Sequence, residues 1–383
     1  MAARRARAGL LGLLAAAALL AAVAPRPAAA ALDREELRNA TAAVAATWMA
    51  DEAPETVKWA WGEGVLTFGL LEAARALNDS APLAYVQAHC RYHLERGIRV
   101  YWSDKTTPAL AVADLVRDFG DATCRPLLDQ VMEYVMAAPR TDAQSLIYHL
   151  GYAPVHFMPM VFPDVWVDSL FHWVPTLHRY SALTGDPAYR EEAVAQLLGF
   201  YRNLQDPATH LVTHAYNDHP LDVQIPAFDE LAFWARGNGW ILCATVDTLA
   251  WLPQDHGARA ELLERVRNQE AAVRATQTDR GLYHTVLLNA TTYEETAGSA
   301  LITYAQARGA ALGVFGAEAA AAAERGMEGL LTVLIHDGDR VEVGGTSVGT
   351  GPRPRLYPYI PTEPQVTYGV GAWLMAARQF LNP

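Results

Sequence analysis

Asp168 stands two residues after Trp166 in Trp166-Val-Asp-Ser-Leu-Phe-His-Trp173, an acid on an otherwise apolar helical pattern. Burial beside an indole raises a carboxyl pKa, which is how a proton donor for neutral pH is made. The first turn of a helix pulls the other way, because its dipole favours the anion. Asp104, in Tyr101-Trp-Ser-Asp-Lys-Thr-Thr-Pro108, precedes a helix start and taken alone reads as a cap. A third stretch, Trp234-Ala-Arg-Gly-Asn-Gly-Trp240, sets two glycines and an asparagine at the mouth of an apolar helix, each a poor helix former. Arg236 and Trp240 are four apart and share a helix face, so they could hold a planar anion against a flat wall. An ordinary helix entrance with aromatic packing would look the same.

Other chemistries lack their residues. The sequence has no Gly-rich phosphate loop, no His-Glu-x-x-His and no Gly-x-Ser-x-Gly. His210, His214 and His219 cluster in a loop, but no acid or cysteine stands at a decisive metal-ligand spacing, so no metal and no cofactor is expected. With 42 acidic against 30 basic residues the formal net charge is −12, which argues against nucleic acid as a partner. An anionic ligand would have to be caught by a few placed groups.

The elements that must carry these residues are helical. Arg4, Arg5 and Arg7 precede an apolar run to Ala24, and Ala28-Ala-Ala30 follows, a basic start, apolar middle and small-residue exit. Residues 1–30 are therefore expected to be a signal peptide cleaved near Ala30, giving a secreted chain with no membrane span. From 31 to 383, one domain is expected. Helical patterns fall near 33–50, 63–78, 81–96, 107–119, 123–138, 165–184, 187–204, 233–252, 257–277, 296–311, 317–336 and 366–381, with Pro175 expected to kink or end its helix. Many are apolar on more than one side, as buried helices are. Six inner helices ringed by six outer ones would satisfy that: an all-α (α/α)6 toroid with loops lining a funnel. The long connections 140–164, 205–232, 278–295 and 337–365 hold many of the His, Tyr and Pro residues. Cys90 and Cys124 could pair in an oxidising compartment, while Cys243 reads as a buried thiol.

In order along the chain, Trp59-Ala-Trp-Gly-Glu-Gly64, Asp104-Lys-Thr-Thr-Pro108, Trp166-Val-Asp168-Ser-Leu, Leu183-Thr-Gly-Asp-Pro187, His214-Ala-Tyr, the 234–240 segment and Glu295-Thr-Ala-Gly-Ser-Ala300 follow a family pattern. From about residue 55 to 380 the chain resembles the unsaturated rhamnogalacturonyl hydrolases of glycoside hydrolase family 105 and the related unsaturated glucuronyl hydrolases of family 88. The resemblance implies the same six-hairpin toroid. It makes Asp168 the general acid/base and Asp104 the second essential carboxylate. His214, Arg236 and Trp240 would line the sugar site with Trp166 as a wall, and His149 and Trp61 are looser matches. Arg236 or His214 would take the uronate carboxylate.

Substrates of that family are oligosaccharides ending in the 4,5-unsaturated uronic acid left by a polysaccharide lyase. The double bond is a vinyl ether. Protonation at C4 gives an oxocarbenium-like cation, water adds at C5, and the hemiketal opens and expels the remaining sugar. One carboxyl must give a proton to carbon and accept one from water. The sequence departs from the pattern at 140–164 and 344–365, two loops expected to border the sugar beyond the unsaturated one. A sugar epimerase or isomerase on the same toroid would instead need opposed histidines, for which His149 and His214 are the candidates. A non-catalytic glycan-binding protein would keep only the aromatic walls.

Overall fold

The computed structural model describes residues 32–141, 144–152, 165–216 and 232–381. Twelve α-helices lie among them: α1 (Arg34–Asp51), α2 (Trp61–Leu77), α3 (Ser80–Arg96), α4 (Pro108–Asp118), α5 (Arg125–Ala137), α6 (Asp168–Thr184), α7 (Pro187–Leu204), α8 (Ala235–Trp251), α9 (Arg259–Arg274), α10 (Thr296–Ala311), α11 (Ala317–Leu331) and α12 (Thr367–Leu381). The even-numbered helices form a closed ring. α2 packs on α4, α4 on α6, and so on through α8 and α10 to α12, which returns to α2; the odd-numbered helices lie outside. This is the expected all-α (α/α)6 toroid. The inner helices are buried almost all round, α8 continuously from Ala235 to Leu249, which is why they read as apolar on several faces.

Glycines set how close the ring can draw. A Cβ on Gly69 of α2 would stand 2.4 Å from the Gly371 carbonyl oxygen of α12, and a Cβ on Gly371 would stand 2.4 Å from that of Val65. At the end away from the site, charge ties the ring together. Arg179 of α6 donates to Asp114 of α4 at 2.7 Å and reaches Asp247 of α8 at 3.5 Å; Arg308 of α10 donates to Asp247 at 2.7 Å and Arg75 of α2 to Asp114 at 3.0 Å. Burial would raise both carboxyl pKa values, but the arginines hold them below the ordinary range.

The structure departs from the expected elements in three places. The helix expected over 317–336 stops at Leu331, and strands β3 (Leu334–Asp337) and β4 (Arg340–Val343) follow as an antiparallel hairpin. Gly338-Asp339 supplies its two-residue turn, with Gly338 at φ 58°, a dipeptide the helical reading passed over. The hairpin packs on α1, where Val341 donates its N–H to Thr47 at 2.9 Å. Residues 165–166 are not helical either: β1 (Val165–Trp166) pairs antiparallel with β2 (Ala215–Tyr216), so α6 begins at Asp168. Pro175 neither ends nor divides α6, which runs unbroken to Thr184 with its middle wholly enclosed by neighbouring helices.

Cys90 of α3 and Cys124 before α5 form a disulfide, and Cys243 is a buried thiol donating to the Leu301 carbonyl at 3.2 Å. No helix among the described residues is long and apolar enough to cross a membrane. Residues 1–30 and His219 lie outside the described residues, as do large parts of the expected long connections 140–164 and 205–232.

Candidate active site

The loops at the N-terminal ends of α2, α6 and α8 open onto a cavity of about 250 Å³. Larger grooves of about 500 and 580 Å³ lie on the outer surface, but neither gathers an aromatic wall with facing carboxylates. The cavity does both. Asp104 and Asp168 line it with Trp61, Trp102, Trp166 and Trp234.

Each carboxylate is placed by backbone as well as side chain. Asp104 sits in a 3-10 turn, Ser103–Lys105, anchored where Ser103 donates its N–H to the His149 carbonyl at 3.0 Å. Thr106 Oγ1 ties the turn to α6, bonding the Ser103 carbonyl at 2.6 Å and that of His172 at 3.2 Å. Asp168 opens α6, and the β1–β2 pairing brings His214 beside it, with Val167 donating to the His214 carbonyl at 2.9 Å. His214 Nε2 then lies 2.9 Å from Asp168 Oδ2, and His214 Nδ1 lies 2.8 Å from the Tyr357 hydroxyl. An ionised Asp168 accepts from Nε2–H, and Nδ1 pairs with the Tyr357 hydroxyl.

The two acids are pushed apart in pKa. For Asp104, burial and the neighbouring Asp168 charge outweigh Lys105 and raise it from 3.8 to about 7. For Asp168, burial raises the value but the charge and hydrogen bond of His214 outweigh it, leaving it at about 2. Below about pH 7 a proton-bearing carboxyl and an ionised one therefore share the cavity. Burial lowers His149 to about 3 and His172 to about 4, so both imidazoles are neutral there.

The aromatic wall is built in layers. Trp166 stacks on His149 at 4.2 Å and meets His214 edge-on at 5.8 Å. Trp61 stacks on Tyr368 at 4.3 Å and lies over His172 at 6.2 Å. The indole N–H groups of Trp102 and Trp234 and both ring nitrogens of His172 are buried without a partner. Unpaired donors at a cavity are the kind of groups a polar ligand satisfies.

Seven of the eight residues singled out from the sequence meet at this cavity or support it directly: Asp104, Asp168, Trp166, Trp61, His149, Arg236 and His214. The eighth takes a different place. Trp240 has no exposed surface and is not part of the cavity lining; its indole packs on Phe171 at 4.9 Å and edge-on to Trp61 at 6.4 Å. It holds the floor from below.

Arg236 lines the cavity with its guanidinium buried. Nη1 donates to Glu295, to the Ser347 carbonyl and to Ser347 Oγ, each at 3.0 Å, and Nη2 donates to Thr350 Oγ1 at 2.9 Å, while Nε has no partner among the described residues. It also lies between the faces of Trp234 and Tyr368. In the free enzyme it braces the strand β5 (Thr346–Ser347) and the Gly349–Gly351 segment that forms one cavity wall. His214 is committed on both nitrogens. The glycines of the 234–240 stretch also serve packing, since a Cβ on Gly237 would meet Trp234 and Val167 at 3.0 Å and one on Gly239 would meet Leu301 at 2.8 Å.

Sequence reasoning gave no role to His172, Tyr357, Trp234 or Glu295. His172 had a visible signal: it is four residues after Asp168 and shares its helix face. Tyr357 reaches His214 across 143 residues of sequence, so no local pattern could have found it.

The comparisons with known proteins agree with this architecture. The chain is 25% identical over 250 residues to an unsaturated rhamnogalacturonyl hydrolase of Bacillus subtilis, covering 64% of this chain and 70% of that one. It is 28% identical over 223 residues to an unsaturated 3S-rhamnoglycuronyl hydrolase of Formosa agariphila, covering 57% of each. A solved structure described as a possible member of glycoside hydrolase family 105, from Salmonella enterica serovar Paratyphi A, superposes with a TM-score of 0.79 at 24% identity, over 94% of this chain and 99% of that one. The model of Glycosyl Hydrolase Family 88 matches residues 35–382, and the chain belongs to that family of enzymes.

Proposed function

We propose that the enzyme removes a terminal 4,5-unsaturated uronic acid from short oligosaccharides released by a polysaccharide lyase, by hydrating the vinyl ether double bond. The observation that carries this reading is the pair of carboxyls held in opposite protonation states within one aromatic-walled cavity. Hydration needs a proton for C4 and a base for the attacking water, and the pair offers both. The resemblance to family members gives both tasks to Asp168. The electrostatics of the free enzyme favour a division: Asp104 delivers the proton, while Asp168, kept anionic by His214, takes the proton from water and stabilises the cation at C5. The indoles stack on the flattened ring, and the unpaired Trp102 and Trp234 N–H groups are donors for its oxygens.

The isomerase reading is less well served, because His214 is engaged by Asp168 and Tyr357 and is not a free opposed base. The Cys90–Cys124 disulfide supports a secreted protein with residues 1–30 as its leader and 31–383 as the catalytic domain, since such bonds persist in oxidising compartments. The test is direct. Lyase-generated disaccharides absorb in the ultraviolet through their conjugated double bond, and hydration abolishes it. Loss of absorbance on a pectin, ulvan or glycosaminoglycan fragment is expected, and no loss on any of them would overturn the proposal. Asp168→Asn should bind substrate without turnover.

A further inference from the structure

His172 is the one strongly buried polar side chain of the cavity wall that the hydration chemistry leaves unused. It is 1% exposed, and neither ring nitrogen has a hydrogen-bond partner among the described residues. Leaving a buried imidazole unsatisfied costs about 1–3 kcal/mol, so a group that completes it stabilises the site. Its Nδ1 faces Asp104 Oδ1 at 3.8 Å, and His149 Nε2 faces the same oxygen at 3.5 Å. One donor atom from each of Asp104, His149 and His172 lies within 4.8 Å of the other two.

We propose that these three residues form a binding site for a divalent transition ion, with Zn²⁺, Co²⁺ and Ni²⁺ as the fitting class. Tetrahedral coordination at about 2.0–2.1 Å puts ligand atoms about 3.3–3.4 Å apart, so two of the three separations need only a few tenths of an ångström of closure. The donor set of two imidazoles and one carboxylate suits these ions and not Mg²⁺ or Ca²⁺, which take oxygen. His149 has the supporting contact that metal-bound histidines usually have: its other nitrogen, Nδ1, is bonded to Ser169 Oγ at 2.8 Å, which fixes the ring with Nε2 toward Asp104. Three protein ligands leave a fourth position open to the cavity, for water or a ligand carboxylate.

The site overlaps the carboxyl that the proposed hydration uses as its proton source. An ion bound to Asp104 removes that proton and excludes the substrate ring, so the metal acts as a reversible inhibitor. This consequence rests on the proposed function; the binding itself does not.

Untagged, chelator-treated protein is titrated with Co²⁺ and followed by visible absorbance and calorimetry. One ion per chain is expected, with the intense absorption of a four- or five-coordinate cobalt centre. His172→Phe, which keeps an aromatic ring under Trp61 and removes both nitrogens, should weaken binding at least tenfold, and His149→Phe should do the same. His93→Ala, beside Trp59, should leave the spectrum unchanged. Absence of stoichiometric binding overturns the proposal, as does an unchanged spectrum in either phenylalanine variant. Thermal melts of each variant without metal separate lost ligation from lost folding, and Asp104→Asn offers a second route to the same loss. Inhibition of turnover by Zn²⁺, reversed by chelator, is then measured on an active substrate; a failure to turn over any substrate leaves the cobalt result standing.

Discussion

Replacing Asp104 by asparagine separates the chemistry of this carboxyl from its cost to the fold. Burial and the Asp168 charge raise Asp104 from 3.8 to about 7, a shift of about 3 units, or about 4 kcal/mol against the ionised form. The side chain is only 16% exposed, so little of this is screened. The sign follows from the raised value. Asp104 favours the folded state fully below pH 3.8, and this contribution is lost as pH rises through about 7. Asparagine never ionises and escapes the loss. Asp104→Asn should therefore melt above the parent by about 2 °C at pH 5, where about 2 kcal/mol of the contribution is already lost, and by up to roughly 5 °C at pH 8.5 for a chain of this size. The same proton governs catalysis: kcat/KM of the parent should fall tenfold per pH unit above about 7, read as loss of ultraviolet absorbance from an unsaturated disaccharide. A flat profile between pH 6 and 9, with no pH-dependent stability gap between parent and variant, would refute the assignment of the proton to Asp104 and return it to Asp168.

Three further outcomes follow from the buried network. Arg236→Ala leaves the buried Glu295 carboxylate without its counter-ion, held by the N–H groups of Ala297, Gly298 and Ser347, so it should cost about 3 kcal/mol in denaturant unfolding, and Arg236→Lys should not restore it because one ammonium cannot replace the fork. A loss confined to KM, with unfolding unchanged, would make Arg236 a substrate ligand after all. Trp240→Ala should cost about 3–5 kcal/mol through a cavity beneath Trp61, and a variant as stable as the parent would contradict the packing. Cys90→Ser should lower stability by about 3–4 kcal/mol through the 34-residue loop it opens, and native unreduced protein should show no thiol reactive toward a maleimide, since Cys243 is buried.

The helices were legible because their signal is local. Asp186-Pro187 starts α7, with the Asp186 carboxylate accepting the Ala188 N–H, and Asp33 caps α1 in the same way. The toroid followed from the number of helices and from inner helices too apolar to face water. The β3–β4 hairpin was missed because an alanine-rich helix runs almost straight into it, and its Gly338-Asp339 turn is the main local break. Within the site, the residue types were legible and their allegiances were not. Arg236 looked like an anion ligand because a guanidinium beside two indoles fits one. Its actual partners, Glu295, Ser347 and Thr350, lie 59 to 114 residues away and meet it only when the ring closes.

The partners of Arg236 bear on how the substrate's own charge is met. At the described cavity wall its Nη1 and Nη2 are bonded to Glu295, Ser347 and Thr350 while Nε has no partner among the described residues, and His149 and His172 are neutral at pH 7. A uronate carboxylate placed there would be held by hydrogen-bond donors instead of by an opposing charge. Such donors are present, in the indole N–H groups of Trp102 and Trp234 and in the backbone of Gly349–Gly351 that Arg236 holds in place. Neutral donors leave the negative charges of substrate and Asp168 uncompensated, which raises the proton affinity of the whole cavity as the substrate enters. That is the direction the reaction requires, because its first step hands a proton to carbon.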